Sequence, residues 1–301
     1  MARCGEVYVG TSGWSYPHWR ETFYPKRLGS THHLEFLASR LPTVEVNCTF
    51  YSLVRPPMVE AWRASVPEGF VFAVKASRYI THMTKLGGGV APVANFFAQG
   101  ILRFGASLGP ILWQLPPMLP FRADRVRAFL ELLPADVAAA ERLARRHDHR
   151  LKGRSALTAP DGREVRLRHA FEVRHESWLA PEALRILHDH DVALVAADTA
   201  GKHPASIERT ASFAYVRLHG SQVLYGSRYT DAELDGWARR IRRWTSAGCT
   251  TYVYFDNDNK AYAPCDAERL RARLEGRAPA LWATATKRHV ADRVDRYARA
   301  G

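Results

Sequence analysis

The chain has 301 residues, 47% of them hydrophobic and 24% charged, with a formal net charge of +13. That length and balance suit one large packed core or two modest ones, and they exclude a low-complexity or largely disordered chain. No apolar run approaches the roughly 18 to 20 residues of a membrane helix. The opening MARCGEVYVGTSGW has no secretory pattern, so a cytoplasmic protein without membrane contact is expected.

In chain order, short apolar or alternating runs occur at residues 7–10, 43–48, 70–75, 110–115, 170–174, 192–198, 213–219 and 251–256. Each reads as a strand. Between them lie segments such as PPMVEAWRASV, RADRVRAFLELLP and TDAELDGWARRIRRWTSAG, several of which repeat apolar residues at helical spacing and start after Ser, Thr or Pro. Eight alternations predict an α/β protein built as a (β/α)8 barrel of TIM type, for which about 250 residues are typical. Residues 135–168 supply the remaining length as a helix, a basic connector and a hairpin turned at APDGRE. They read as an elaboration between strands four and five, within a single domain over 1–301.

The charge is concentrated. Residues 142–168 and 269–299 each hold nine basic and three acidic residues, which accounts for +12 of the +13. A basic surface of this kind suits a polyanion such as nucleic acid, although a solvated basic surface has the same composition. Cys4, Cys48, Cys249 and Cys265 stand far apart without C-x-x-C spacing, as expected of reduced thiols. Cys48 falls in a strand-like run and is expected to pack as a small hydrophobe.

A barrel gathers its functional groups at the C-terminal ends of the strands. There the sequence places Thr11 to Trp14, Glu45 and Asn47, Lys75, Gln114, Glu172 and Arg174, Asp198, Arg217 and His219, and Asp256 with Asn257. Side chains two apart on a strand share a face, so Glu45 with Asn47, Glu172 with Arg174, and Arg217 with His219 are expected to point inward together. A structural salt-bridge layer is the competing reading of such a ring, but several buried charges are a costly way to stabilise a barrel. Trp14, Tyr51 and Trp178 frame the mouth as rings suited to a sugar or base, whereas alternation turns Trp113 and His175 toward the helices.

The runs VGTSGWSYPHWRETFYP, VEVNCTFYSLVRPP, FVFAVKASRYITHMTKL, ILWQLPP, HAFEVRHESW and YVYFDND, in this order, resemble the YecE-like domain-of-unknown-function family. The resemblance extends from about Val7 to Leu274. It implies a TIM-type barrel, similar in that respect to xylose isomerases and apurinic endonucleases, and implies no activity. Cys265 and Asp266, and the long basic segment 135–168, depart from the family pattern.

The candidate catalytic residues are Glu172, Asp256, His219 and Glu45. The candidate substrate contacts are Trp14, Asn47, Tyr51, Lys75, Gln114, Arg174, Trp178, Asp198, Arg217 and Asn257. Acid/base groups beside three cations suit a hydrolase or isomerase acting on a phosphorylated, sugar-like or nucleic-acid substrate, a small-molecule or nucleic-acid anion. Lys75 at a strand end also fits a Schiff-base amine, although an ion-paired lysine is the commoner case. No cofactor is predicted. A divalent metal is the minority alternative, because three cations would repel it and the mouth offers one histidine. The chain has no G-x-S-x-G elbow, P-loop or dinucleotide fingerprint. The alternative function is a non-catalytic nucleic-acid-binding or accessory protein that uses the basic segments.

Overall fold

The computed structural model describes residues 4–161 and 165–277. Nine parallel strands form one sheet: β1 (Val7–Ser12), β2 (Thr43–Val46), β3 (Val71–Lys75), β4 (Leu108–Gln114), β5 (His169–Glu172), β6 (Val192–Leu194), β7 (Ala196–Asp198), β8 (Phe213–Leu218) and β9 (Thr250–Phe255). The spatial order is β6-β5-β4-β3-β2-β1-β9-β8-β7. The two ends of this order, β6 and β7, are consecutive halves of the one predicted sixth strand, separated by Val195. Val195 keeps the ladder continuous by donating its N–H to the Phe171 carbonyl at 2.9 Å. The sheet therefore closes on itself, and the protein is a TIM-type barrel. Among the described residues, no helix is long and apolar enough to cross a membrane.

Alternation divides the packing into two layers. Val44, Val46, Phe72, Val74, Ile111, Trp113, Phe171, Val216 and Val253 belong to the large core between barrel and helices, which includes Leu234, Trp237 and Ile241 of the helix Asp231–Ser246. That helix begins with a capping box, Thr230 with Glu233. The barrel interior is a separate cluster in which Ala73, Ala170, Ala193 and Ala197 face Phe213, Tyr215, Tyr252 and Tyr254. Small residues on one wall make room for rings on the other. Thr43 ties the second strand to this floor through a 2.8 Å hydrogen bond with the Tyr254 hydroxyl.

The second strand is shorter than predicted: Asn47 takes helical dihedrals and Cys48 starts a short helix, Cys48–Tyr51. Cys48 is exposed rather than packed in the core. In the elaboration, the predicted helix is Val137–Ala144, and Asp136 caps it by accepting from Ala139 N–H. Asn95 of an earlier helix, Val90–Ala98, anchors the connector by hydrogen bonds with Asp148 at 2.9 and 3.0 Å. A single antiparallel bridge joins Asp136 to Arg166. Residues 162–164, at the predicted hairpin turn, lie outside the described residues, as do 278–301, which include most of the second basic segment.

Gly10 pairs with Thr43 of β2, and a Cβ there would sit 2.0 Å from the Thr43 carbonyl oxygen. Gly10→Ala is expected to lower stability by about 1–3 kcal/mol through overpacking. Gly236→Ala in the helix Asp231–Ser246, where only the flexible end of Arg239 comes within 4.0 Å, is expected to raise it by roughly 0.5–1 kcal/mol. The denaturant midpoints of the two variants should therefore move in opposite directions.

Candidate active site

The sequence of β8, FAYVRL, alternates so that Phe213, Tyr215 and Arg217 face into the barrel while Ala214, Val216 and Leu218 pack against the helices. This forces the Arg217 guanidinium into the interior, where it is fully buried. Its planar fork of donors is then met from the ends of four other strands. Nε donates to Glu45 Oε2 at 3.1 Å, and Nη2 donates to Glu45 Oε1 at 2.8 Å. Nη2 also reaches Asp256 Oδ2 and Ser12 Oγ, both at 2.9 Å, and Nη1 reaches Glu172 Oε2 at 2.6 Å. Only arginine offers a rigid, permanently charged fork that can face three carboxylates at once.

The remaining acceptors are also met. Ser12 Oγ and the Tyr215 hydroxyl donate to Glu45 at 2.7 and 2.6 Å. Gln114 Nε2 donates to Glu172 Oε1 at 2.9 Å, and Arg174 reaches the same oxygen at 3.1 Å. His219 lies between the carboxylates, with Nε2 3.4 Å from Glu172 and Nδ1 3.0 Å from Asp256. The Tyr225 ring meets His219 edge-on at 5.4 Å, and its hydroxyl accepts from Arg174 at 3.3 Å.

These neighbours set the protonation states. Burial alone would raise Glu172, but Arg217, His219 and Arg174 outweigh it and hold its carboxyl well below the usual range. Asp256 is likewise opposed by burial, yet Arg217 and His219 bring it down to about 2. Burial would lower His219, but Glu172 and Asp256 hold it above the ordinary histidine value. Lys75 moves the other way: burial, aided by the charge of Arg217, depresses it to about 8.

Of the residues named from sequence, Glu45, Lys75, Gln114, Glu172, Arg174, Arg217, His219 and Asp256 gather in this one cluster. Asn47 stands beside it, donating to Ser12 Oγ at 2.8 Å. Trp14 is half-buried and meets Trp62 edge-on at 5.3 Å, and Tyr51 is exposed on the rim. Three residues lie elsewhere. Trp178 is buried outside β5, against Phe121 and Phe171, with its indole N–H on the Leu119 carbonyl at 2.9 Å. It cannot wall the mouth. Ala193, Val195 and Ala197 face inward, so Asp198 faces out and accepts from the Tyr229 hydroxyl at 3.1 Å. Asn257, one residue beyond the inward Asp256, turns to Asp266 and the Ser227 carbonyl, both at 2.9 Å. Ser12 and Tyr215 were missed as contacts, although Tyr215 stands two residues before Arg217 and alternation alone puts it on the same face. Tyr225 comes from an irregular loop and has no such signal.

Among the described residues, no group of three or more His, Cys, Asp and Glu side chains is placed to hold a metal ion. A depression of about 460 Å³ lined by His188, Asp191, Arg209 and Cys249 lies at the opposite, N-terminal end of the strands, away from the ionic cluster.

The family model described as a protein of unknown function, DUF72, matches residues 8–290. The chain belongs to the DUF72 family. It is 31% identical to the UPF0759 protein YecE of Escherichia coli K12 over 128 residues, which cover 38% of this chain and only 44% of YecE. To the UPF0759 protein YunF of Bacillus subtilis it is 22% identical over 89% of this chain and 95% of YunF. Among solved structures, a DUF72 protein from Thermotoga maritima superposes with TM-score 0.69 at 24% identity, covering 90% of this chain and 99% of that one. A DUF72 protein from Enterococcus faecalis gives 0.68 at 18% identity, over 89% and 95% of the two chains. The shared architecture is the barrel.

For this DUF72 chain the depressed Glu172 and Asp256 give stability a defined pH dependence. The ordinary values are 4.5 and 3.8, so their contribution is fully present above about pH 4.5 and is lost progressively as pH falls toward about 2. Urea midpoints measured across that window should fall steeply. Arg217→Met removes the counter-charge, is expected to cost about 3–5 kcal/mol at neutral pH, and should flatten the acid limb. Unchanged stability at neutral pH would show that Arg217 does not hold the cluster.

Proposed function

We propose that this protein is an enzyme of hydrolase or isomerase type that carries out acid/base chemistry on an anionic substrate at the C-terminal mouth of the barrel. One observation carries the reading: seven strand ends converge on a ring of carboxylates, cations and a histidine far larger than a barrel needs for its own stability. Well-packed aliphatic residues would close the barrel at lower free-energy cost.

The protonation states assign the roles. Glu172 and Asp256 are held as anions and so serve to position and polarise rather than to donate protons. His219, set between them with a raised affinity for its proton, is the better proton carrier. Toward solvent, Arg174, Lys75 and the rim of Asn47, Trp14 and Tyr51 supply cations, an amide and flat rings. That combination fits a phosphorylated or acidic sugar-like compound, or one end of a nucleic-acid strand. With four cysteines free of disulfide bonds, a cytoplasmic setting accompanies the reading.

The test is a thermal-shift screen with sugar phosphates, sugar acids, nucleotides and short oligonucleotides, followed by turnover assays on any compound that raises the Tm. Asp256→Asn should abolish turnover with the fold intact. Arg174→Ala should weaken the binding by about 1.5–3 kcal/mol, the range of a charge-assisted hydrogen bond. If no anion of these classes stabilises the protein, the reading fails.

A second reading is favoured by the elaboration. Arg142, Arg145, Arg146, Lys152 and Arg154 are exposed there, and the Arg150 guanidinium lies 5.7 Å over the ring of Tyr79, on the turn that follows β3. This basic surface thus reaches the rim of the mouth, as an accessory nucleic-acid-binding face would. Neutralising Arg145, Arg146, Arg150 and Lys152 together should weaken oligonucleotide binding for every sequence and reduce its salt dependence. Filter binding at several salt concentrations checks both, and unchanged binding would remove this reading.

A further inference from the structure

Lys75 differs from every other charged group in the cluster. It ends β3, is only 9% exposed, and its Nζ lies 4.3 Å from the centroid of the Phe50 ring. Among the described residues no ion pair or hydrogen bond holds that nitrogen. Three carboxylates stand in the same mouth, yet all of them turn to Arg217 and His219. A buried ammonium left beside an aromatic face is poorly solvated and poorly paired, which is the setting that turns lysine from a structural charge into a reactive amine.

We propose that Lys75 is the nucleophile of this mouth, condensing with the aldehyde or ketone group of an anionic ligand to form an imine. This rests on the enzyme reading above and narrows its substrate class to carbonyl compounds that carry a phosphate or carboxylate. In the step, the Nζ lone pair forms a C–N bond to the carbonyl carbon. The oxygen takes up both amine protons in turn and leaves as water, so no oxidant or further reactant is needed. Glu45, Glu172 and Asp256 oppose the loss of the ammonium proton, while Arg217 favours it and His82, lowered by burial, is neutral in that range; burial decides the outcome, and the amine is half neutral near pH 8. Arg174, at the solvent side of Glu172, is placed to take the anion.

The chain suits a direct test because it has few lysines. Lys26, Lys85, Lys152, Lys202 and Lys260 are exposed, and Lys287 lies outside the described residues. The full-length protein is incubated with pyridoxal 5′-phosphate, reduced with borohydride and mapped by peptide mass spectrometry. Labelling of Lys75 at least tenfold above each exposed lysine at pH 8, half-maximal near that pH, is the expected result. Pyridoxal without its phosphate should label Lys75 more weakly. Lys75→Arg should lose the preferred adduct while its circular dichroism and Tm show an intact fold. Labelling of Lys75 no faster than the exposed lysines between pH 7 and 10 overturns the proposal. If sugar phosphates raise the Tm while pyridoxal 5′-phosphate leaves no adduct on Lys75, the imine fails and the acid/base reading stands. If neither occurs, both fail.

Discussion

The buried guanidinium of Arg217 is the constraint on which the rest of the mouth depends. A fully desolvated cation is tolerated only where its charge and its donors are met, and here Glu45, Glu172 and Asp256 meet them from three separate strands. The pairing works in both directions. Without Arg217 the three carboxylates would repel one another in a space from which water is excluded, and the strand ends of β2, β5, β8 and β9 would have no reason to converge. The same contacts hold Glu172 and Asp256 ionised, and these two in turn raise the proton affinity of His219. One side chain thus sets both the architecture and the protonation pattern.

Beneath this ionic layer the interior changes character. Tyr215 and Tyr254, with ring centroids 5.1 Å apart, form a floor whose hydroxyls point up to Glu45 and across to Thr43. Alanines on β3, β5, β6 and β7 leave the space those rings occupy. The floor is apolar below and hydrogen-bonding above, so it separates a packed core from a charged site within one barrel. Lys75 lies at the edge of that division. Because Arg217 has taken the carboxylates, the lysine is left with a phenyl ring for a neighbour, and its amine is correspondingly easier to deprotonate.

Much of this was legible in the sequence. The eight strand positions, the barrel they imply and the charged strand ends all follow from period-two alternation, which is a local property. Parity alone, applied to Ala197 and Asp256, would have turned Asp198 and Asn257 outward and added Tyr215 to the cluster. Trp178 was not open to that logic, since it sits on a short turn after β5 whose direction depends on packing against Phe121 and Phe171. Tyr225, on a loop with a left-handed backbone at φ 62°, was equally out of reach.

The sequence by itself determined which faces are apolar, which residues end each strand, and that acids, bases and rings would crowd one end of a barrel, because alternation and helical period act over a few residues. Only the tertiary structure decided who pairs with whom. That Arg217 takes all three carboxylates, that the sixth strand breaks at Val195 to close the sheet, and that Lys75 is left without an acidic partner depend on the register between strands far apart in the chain. Register is set by the closure of the whole barrel, and no single strand carries it.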